Sequence, residues 1–154
     1  MGRYMITTEG EEALVAATAE TVLLLAGSAS AKGLLWGFGF SLDGTSSAAE
    51  PVQWKLKRGN SASQGTSTAA TEEKRDSDLP AALLTGFHSF TAEPTYTGQA
   101  LMAGEIHPQG GVYEWRANTL EECFVLDDAT NSFFGVELTA PAVVNAQGWM
   151  DFEP

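Results

Sequence analysis

Gly33-Leu34-Leu35-Trp36-Gly37-Phe38-Gly39-Phe40-Ser41-Leu42-Asp43 is the stretch whose reading decides the fold. Leu34, Trp36, Phe38, Phe40 and Leu42 fall on every second position, with Leu35, Gly37, Gly39 and Ser41 between them. A strand sends alternate side chains to opposite faces, so this spacing predicts five large apolar groups on one face. The other face is nearly bare backbone at Gly37 and Gly39, which suggests a bulge, a bend or a close backbone neighbour. A helix would spread the aromatics around its circumference and lose about 1 kcal/mol at each interior glycine relative to alanine. The stretch reads as a central strand, closed by the turn dipeptide Asp43-Gly44.

Outward from it the same grammar repeats. Upstream, Thr21 to Ala26 is a short continuous apolar run stopped by Gly27-Ser28, a length that suits a buried strand. Glu11 to Glu20 offers at most a helical turn. Downstream, Pro51 to Arg58 alternates Val52, Trp54 and Leu56 inward with Gln53, Lys55 and Lys57 outward, as in a half-solvated antiparallel sheet. Strands also follow at Leu83 to Pro94, Thr97 to Ile106, Val112 to Arg116, Cys123 to Leu126, Phe133 to Thr139 and Val143 to Phe152. His107-Pro108-Gln109-Gly110-Gly111, Asp127-Asp128, Asn131-Ser132 and Ala140-Pro141 separate them with turn chemistry. About eight to ten short strands with turns at this frequency predict one all-β domain, an antiparallel β-sandwich or barrel.

Two segments break the pattern. Residues 1–12 are polar apart from Tyr4, Met5 and Ile6, and predict an extended N-terminal arm that orders on contact. Residues 59–80 carry nothing apolar larger than alanine before Leu79, and predict a long polar surface loop, with room for a short edge strand.

Composition restricts the partners. The chain has 154 residues, with 20 acidic against 8 basic side chains and a formal charge of −12. Such a surface repels phosphate backbones and anionic lipid, so no nucleic acid and no membrane are expected as partners. No window approaches the roughly 18 consecutive apolar residues of a membrane span. Glu9, Glu11 and Glu12 precede the first apolar stretch, unlike a secretory signal.

The search for chemistry yields little. His88 and His107 are too few for an imidazole-rich metal centre, and both read as structural. Cys123 stands alone between Glu122 and Phe124 and reads as a small core residue. No G-x-S-x-G elbow and no phosphate-cradling glycine motif occurs. Glu105, Glu114, Asp127, Asp128 and Glu137 read as solubility charge, and Asp127-Asp128 as a turn in preference to a calcium site. Catalytic residues, metal ligands and cofactors are accordingly expected to be none. Aromatic residues offer an alternative: two or more of Tyr96, Tyr113, Trp115 and Trp149 on one exposed surface would make a carbohydrate-binding or receptor-binding module of a phage tail.

The order of segments resembles small tailed-phage virion proteins. The similarity lies in the Arg3-Tyr4 opening with Ala13 to Leu25, the aromatic strand closed by Asp43-Gly44, and the Thr/Ser/Gly-rich loop. It continues in Phe90-Thr91-Ala92-Glu93-Pro94-Thr95, in His107-Pro108-Gln109-Gly110-Gly111, and in Val136 to Asn145 with Thr139-Ala140-Pro141. What the resemblance implies is a capsid decoration or cement protein. It would be jelly-roll-like, located on the outer capsid surface of the virion, bound to the major capsid protein and assembled as a dimer or trimer. The expected partner contacts are Arg3, Tyr4, Met5 and Ile6 at one end, and Trp149, Met150 and Phe152 at the other, together with loop 59–80.

Overall fold

The computed structural model describes residues 3–28, 31–59, 64–127 and 132–154. Met1, Gly2, Asp128 and Asn131, and positions 60–63 of the expected loop, lie outside the described residues. The chain forms two antiparallel sheets packed face to face, so the sandwich expected from the two-residue rhythm is what the structure contains.

The first sheet is built on β4 (Gly33–Leu42) and β13 (Val144–Glu153). β10 (Val112–Arg116) and β11 (Phe124–Leu126) pair with β4, while β1 (Tyr4–Thr7) and β2 (Glu12–Leu14) pair with β13. β7 (Glu73–Lys74) closes the far edge against β1. The second sheet runs β6 (Thr66–Ala70), β8 (Thr85–Ala92), β3 (Ala19–Ala26), β12 (Phe133–Thr139), β5 (Val52–Gly59), β9 (Met102–Ile106). Between the sheets lie Tyr4, Ile6, Leu35, Phe38, Phe40, Met150 and Phe152 from one side. Leu23, Leu25, Phe134, Val136, Leu138, Trp54 and Leu56 meet them from the other. Each such side chain stabilises the fold by about 1.5–3 kcal/mol relative to exposure.

Two bulges set which side chains reach that core. Along β4, Phe152 pairs with Leu35 and Asp151 with Gly37, leaving Trp36 as an extra residue without a partner. The phase of the strand therefore switches at Trp36. Leu35, Phe38 and Phe40 are buried inward, while Leu34 and Trp36 are only half-buried. The expectation of five apolar groups on one face is corrected accordingly. In β3 the extra residue is Val22, between the pairs Leu23–Val136 and Thr21–Glu137. The run from Thr21 to Ala26 is buried on both faces, because Leu24 and Ala26 meet Phe133, Phe87, Phe90 and Tyr96 on the side away from the core.

Of the two segments read as non-core, the arm is corrected, while the polar segment keeps its surface position and includes the edge strand for which it had room. Within the expected arm of residues 1–12, Tyr4–Thr7 and Glu12 are strand residues of the first sheet. Tyr4 and Ile6 are 2% and 0% exposed, and β1 is held between β13 and β7. The segment 59–80 contributes an edge strand to each sheet, β6 on β8 and β7 on β1. Backbone pairing fixes it in place of apolar side chains. Glu12–Leu14 is a strand, not a helical turn.

Candidate functional site

The seven expected contact residues come from two adjacent strands. The register pairs Tyr4 with Phe152, Met5 with Asp151, Ile6 with Met150 and Thr7 with Trp149. Alternation then divides them. Tyr4, Ile6, Met150 and Phe152 point into the core, so these four are corrected from contact residues to packing residues. Tyr4 stacks on Phe152 with ring centroids 5.7 Å apart, and its hydroxyl donates to the Pro80 carbonyl at 3.0 Å. Arg3, Met5 and Trp149 remain on or near the outer face of the first sheet.

That face carries a buried carboxylate held by two arginines. Asp151 has no exposed surface, yet lies on the outward side of β13. Arg75, arriving just beyond β7, donates to it through Nη2 at 2.8 Å and Nε at 3.3 Å. Arg116, at the end of β10, donates through Nη1 at 3.2 Å. One carboxylate thus ties both edges of the sheet to its middle, and charge-assisted bonds satisfy both of its oxygens. The Arg116 guanidinium also lies 4.6 Å from the Trp149 ring centroid, and Arg3 lies 4.1 Å from that of Trp36. The Trp36 indole donates to Glu153 at 3.0 Å.

The bare backbone of β4 now has its explanation. A Cβ on Gly39 would stand 2.6 Å from Trp149 Nε1, and one on Gly37 would stand 2.9 Å from the Trp115 carbonyl oxygen. The glycines make room for the Trp149 indole and for close approach of β10. Beside this ring a groove of about 520 Å³ opens, walled by Thr7, Glu9, Val112, Gln147 and Trp149, with Ser41 on its floor.

The four aromatics of the carbohydrate alternative do not share one exposed surface. Tyr113 packs on Phe38, Phe40 and Trp54, and Trp115 on Phe38 and Phe124, at the β10 edge of the interior. Tyr96 covers Phe133 on the outside of the other sheet, with its hydroxyl 2.6 Å from Thr21 Oγ1. Trp149 alone lines the groove.

Comparison with protein-family models, with curated proteins and with solved structures finds no match.

The remaining sequence-flagged groups are placed as follows. His107 Nδ1 accepts the Gln109 amide at 3.1 Å inside its turn. Burial pushes the Cys123 thiol above its usual range, which leaves less of the reactive thiolate. Among the described residues, no group of three or more His, Cys, Asp or Glu is placed to hold a metal ion. Glu137 pairs with Lys57 at 3.2 Å on the outside of the second sheet. Nearby, burial raises the Glu93 carboxyl above the ordinary value, and the charges of Glu20 and Glu137 add to the effect.

Sequence reasoning missed a second hollow, about 310 Å³, at one end of the sandwich. Loop 44–50, Pro108 and residues 141–144 enclose it. Val143 at its rim is 73% exposed, and Val15, one step beyond the Leu14–Val144 pair, is 57% exposed. The signal available in the sequence is Ala140-Pro141-Ala142-Val143-Val144, an apolar run of which Ala140-Pro141 reads as a turn and Val143-Val144 as the start of a strand. Arg75, Arg116 and Asp151 gave no local signal at all.

Proposed function

We propose that the chain is a structural protein that adheres to the outer surface of a tailed-phage capsid. In this reading it binds subunits of the major capsid protein and stabilises the shell. The jelly-roll-like connectivity and the dimeric or trimeric state implied by the resemblance belong to the same proposal. The observation that carries it is the apolar hollow at the sandwich end, rimmed by Val143, Pro141, Ala142 and Pro108. Exposed apolar side chains rimmed by polar ones, here Thr45, Ser46 and Glu50, are a surface that a docking partner would cover. The contact surface accordingly moves from the N-terminal segment, now part of the sheet, to the loops at this end. The charge of −12 supports the outer face of a shell over its DNA-filled interior.

Co-sedimentation with heads prepared without this protein tests the reading. The natural chain pellets with the heads, and Val143→Asp binds at least about tenfold more weakly, since a charge enters a surface meant to be desolvated. Val143 is mostly exposed in the free chain, so thermal unfolding of the variant stays unchanged. Failure of the natural chain to pellet, or equal binding by the variant, rejects the proposal.

A further inference from the structure

His88, on β8 of the second sheet, is buried against the turn that joins β1 to β2 of the first, and this contact belongs to no interface described above. Its side chain is 9% exposed. Nδ1 lies 2.8 Å from Ser89 Oγ and 3.2 Å from Glu12 Oε1. Ser89 Oγ is itself 2.6 Å from Glu12 Oε1 and donates its single hydrogen there. Nδ1 must therefore carry a proton, to donate to the hydroxyl oxygen and the carboxylate. Nε2, on the opposite side of the ring, is buried with no hydrogen-bond partner, and its nearest ionic group is Glu9 Oε2 at 3.8 Å. In a neutral ring protonated at Nδ1, Nε2 presents a lone pair to that carboxylate, an unfavourable contact. A second proton turns it into an ion pair, so the imidazolium is bracketed by two carboxylates.

Two further observations concern the same junction. Glu9 and Ser89 have φ of 56° and 51°, the left-handed region that non-glycine residues occupy when their surroundings hold them there. The turn held by His88 also supplies Thr7, Thr8, Glu9 and Gly10 to one wall of the groove beside Trp149.

We infer that His88 is the proton-operated latch of this turn: a proton on Nε2 clamps the β1–β2 turn to the second sheet and fixes the wall of the groove, and its loss releases both. The titratable groups facing the ring are Glu9, from the turn, and Glu12, the first residue of β2. Its Cα partner on β6 is Thr68, and the β3 residues paired with β8 are Leu24, Leu25 and Ala26, none of them titratable. The Glu9 carboxyl is held below its ordinary range by the Thr71 amide first and hydroxyl second, with the charge of His88 adding least.

The direction with pH follows. The contribution of Glu9 is present above the unfolded glutamate value, about 4.3, and is lost on further acidification.

Hydrogen exchange of the amides at residues 9–12, corrected for intrinsic rates, reads the latch directly. At pH 5.5 they are about five- to tenfold better protected than at pH 8 in the natural chain, and less than about twofold in His88→Gln. Glu9→Gln, a change at an exposed side chain, reduces the pH ratio without depending on the fold of the His88 variant. Nitrogen-15 NMR of the natural chain shows both ring nitrogens of His88 protonated at pH 5.5, and Nδ1 protonated at pH 8. A neutral ring protonated only at Nε2, or the same protection ratio in natural and Glu9→Gln chains, overturns the inference.

Discussion

Gly39 is bare because the Trp149 indole occupies the space a side chain would need. A methyl group there would meet Trp149 Nε1 at 2.6 Å and the Tyr113 carbonyl oxygen at 2.7 Å. The indole can turn aside, but the carbonyl belongs to a paired strand and cannot. Gly39→Ala is expected to cost about 1–3 kcal/mol in urea-induced unfolding, the usual range for overpacking. Asp151 poses a different asymmetry. Its own side chain is fully buried, while Arg75 and Arg116 are 44% and 47% exposed. Removing the acid leaves two cations that water can still solvate; removing both arginines leaves a buried carboxylate without a counter-charge. Asp151→Asn is therefore expected to lose about 1–2 kcal/mol, and the Arg75→Gln, Arg116→Gln double variant about 3–5 kcal/mol. The order of the two in a denaturation series is the check, and the reverse order would contradict the clamp.

At the scale of the strand, β1 carries more than its four residues suggest. It places Tyr4 and Ile6 in the core, continues through the Thr8 amide to the Gly148 carbonyl at 3.1 Å, and lies between β13 and β7. A chain lacking residues 1–7 loses two buried side chains and exposes the edge of β13. It is expected to be destabilised by at least about 4 kcal/mol, seen as a large drop in the midpoint of thermal unfolding by circular dichroism. An N-terminal arm hanging free would leave that midpoint unmoved. The sequence hid this strand because Tyr4, Met5 and Ile6 are adjacent and too few to establish a period of two, and the partner lies at the far end of the chain. Longer strands announced themselves: Val112–Arg116 and Phe133–Thr139 begin and end where alternation and turn residues place them. The bulges at Trp36 and Val22 were not legible, since an extra residue is defined only against the partner strand. The edge strand β6, made of Thr, Ser and Ala, is held by its backbone ladder, and apolar patterning says nothing about such a strand.

The whole molecule separates its surfaces by role. The interior between the sheets is aromatic and aliphatic, the outer face of the first sheet is tied together by arginines, and Val143 stands exposed at the hollow of one loop end. The candidate site was less legible than the fold, because each of its parts joins residues far apart in sequence. Arg75, Arg116 and Asp151 meet only once the sheet exists. His88 meets Glu9 and Glu12 only once the two sheets have packed. One arrangement already described reaches back to the making of the chain. β1 leaves the ribosome well before β13, and nearly all the rest of the sandwich is translated between them. At ordinary elongation rates the interval is on the order of ten seconds. Throughout it Tyr4 and Ile6 stand without their partner strand, so a nascent-chain chaperone has a longer opportunity at β1 than at the strands translated after it.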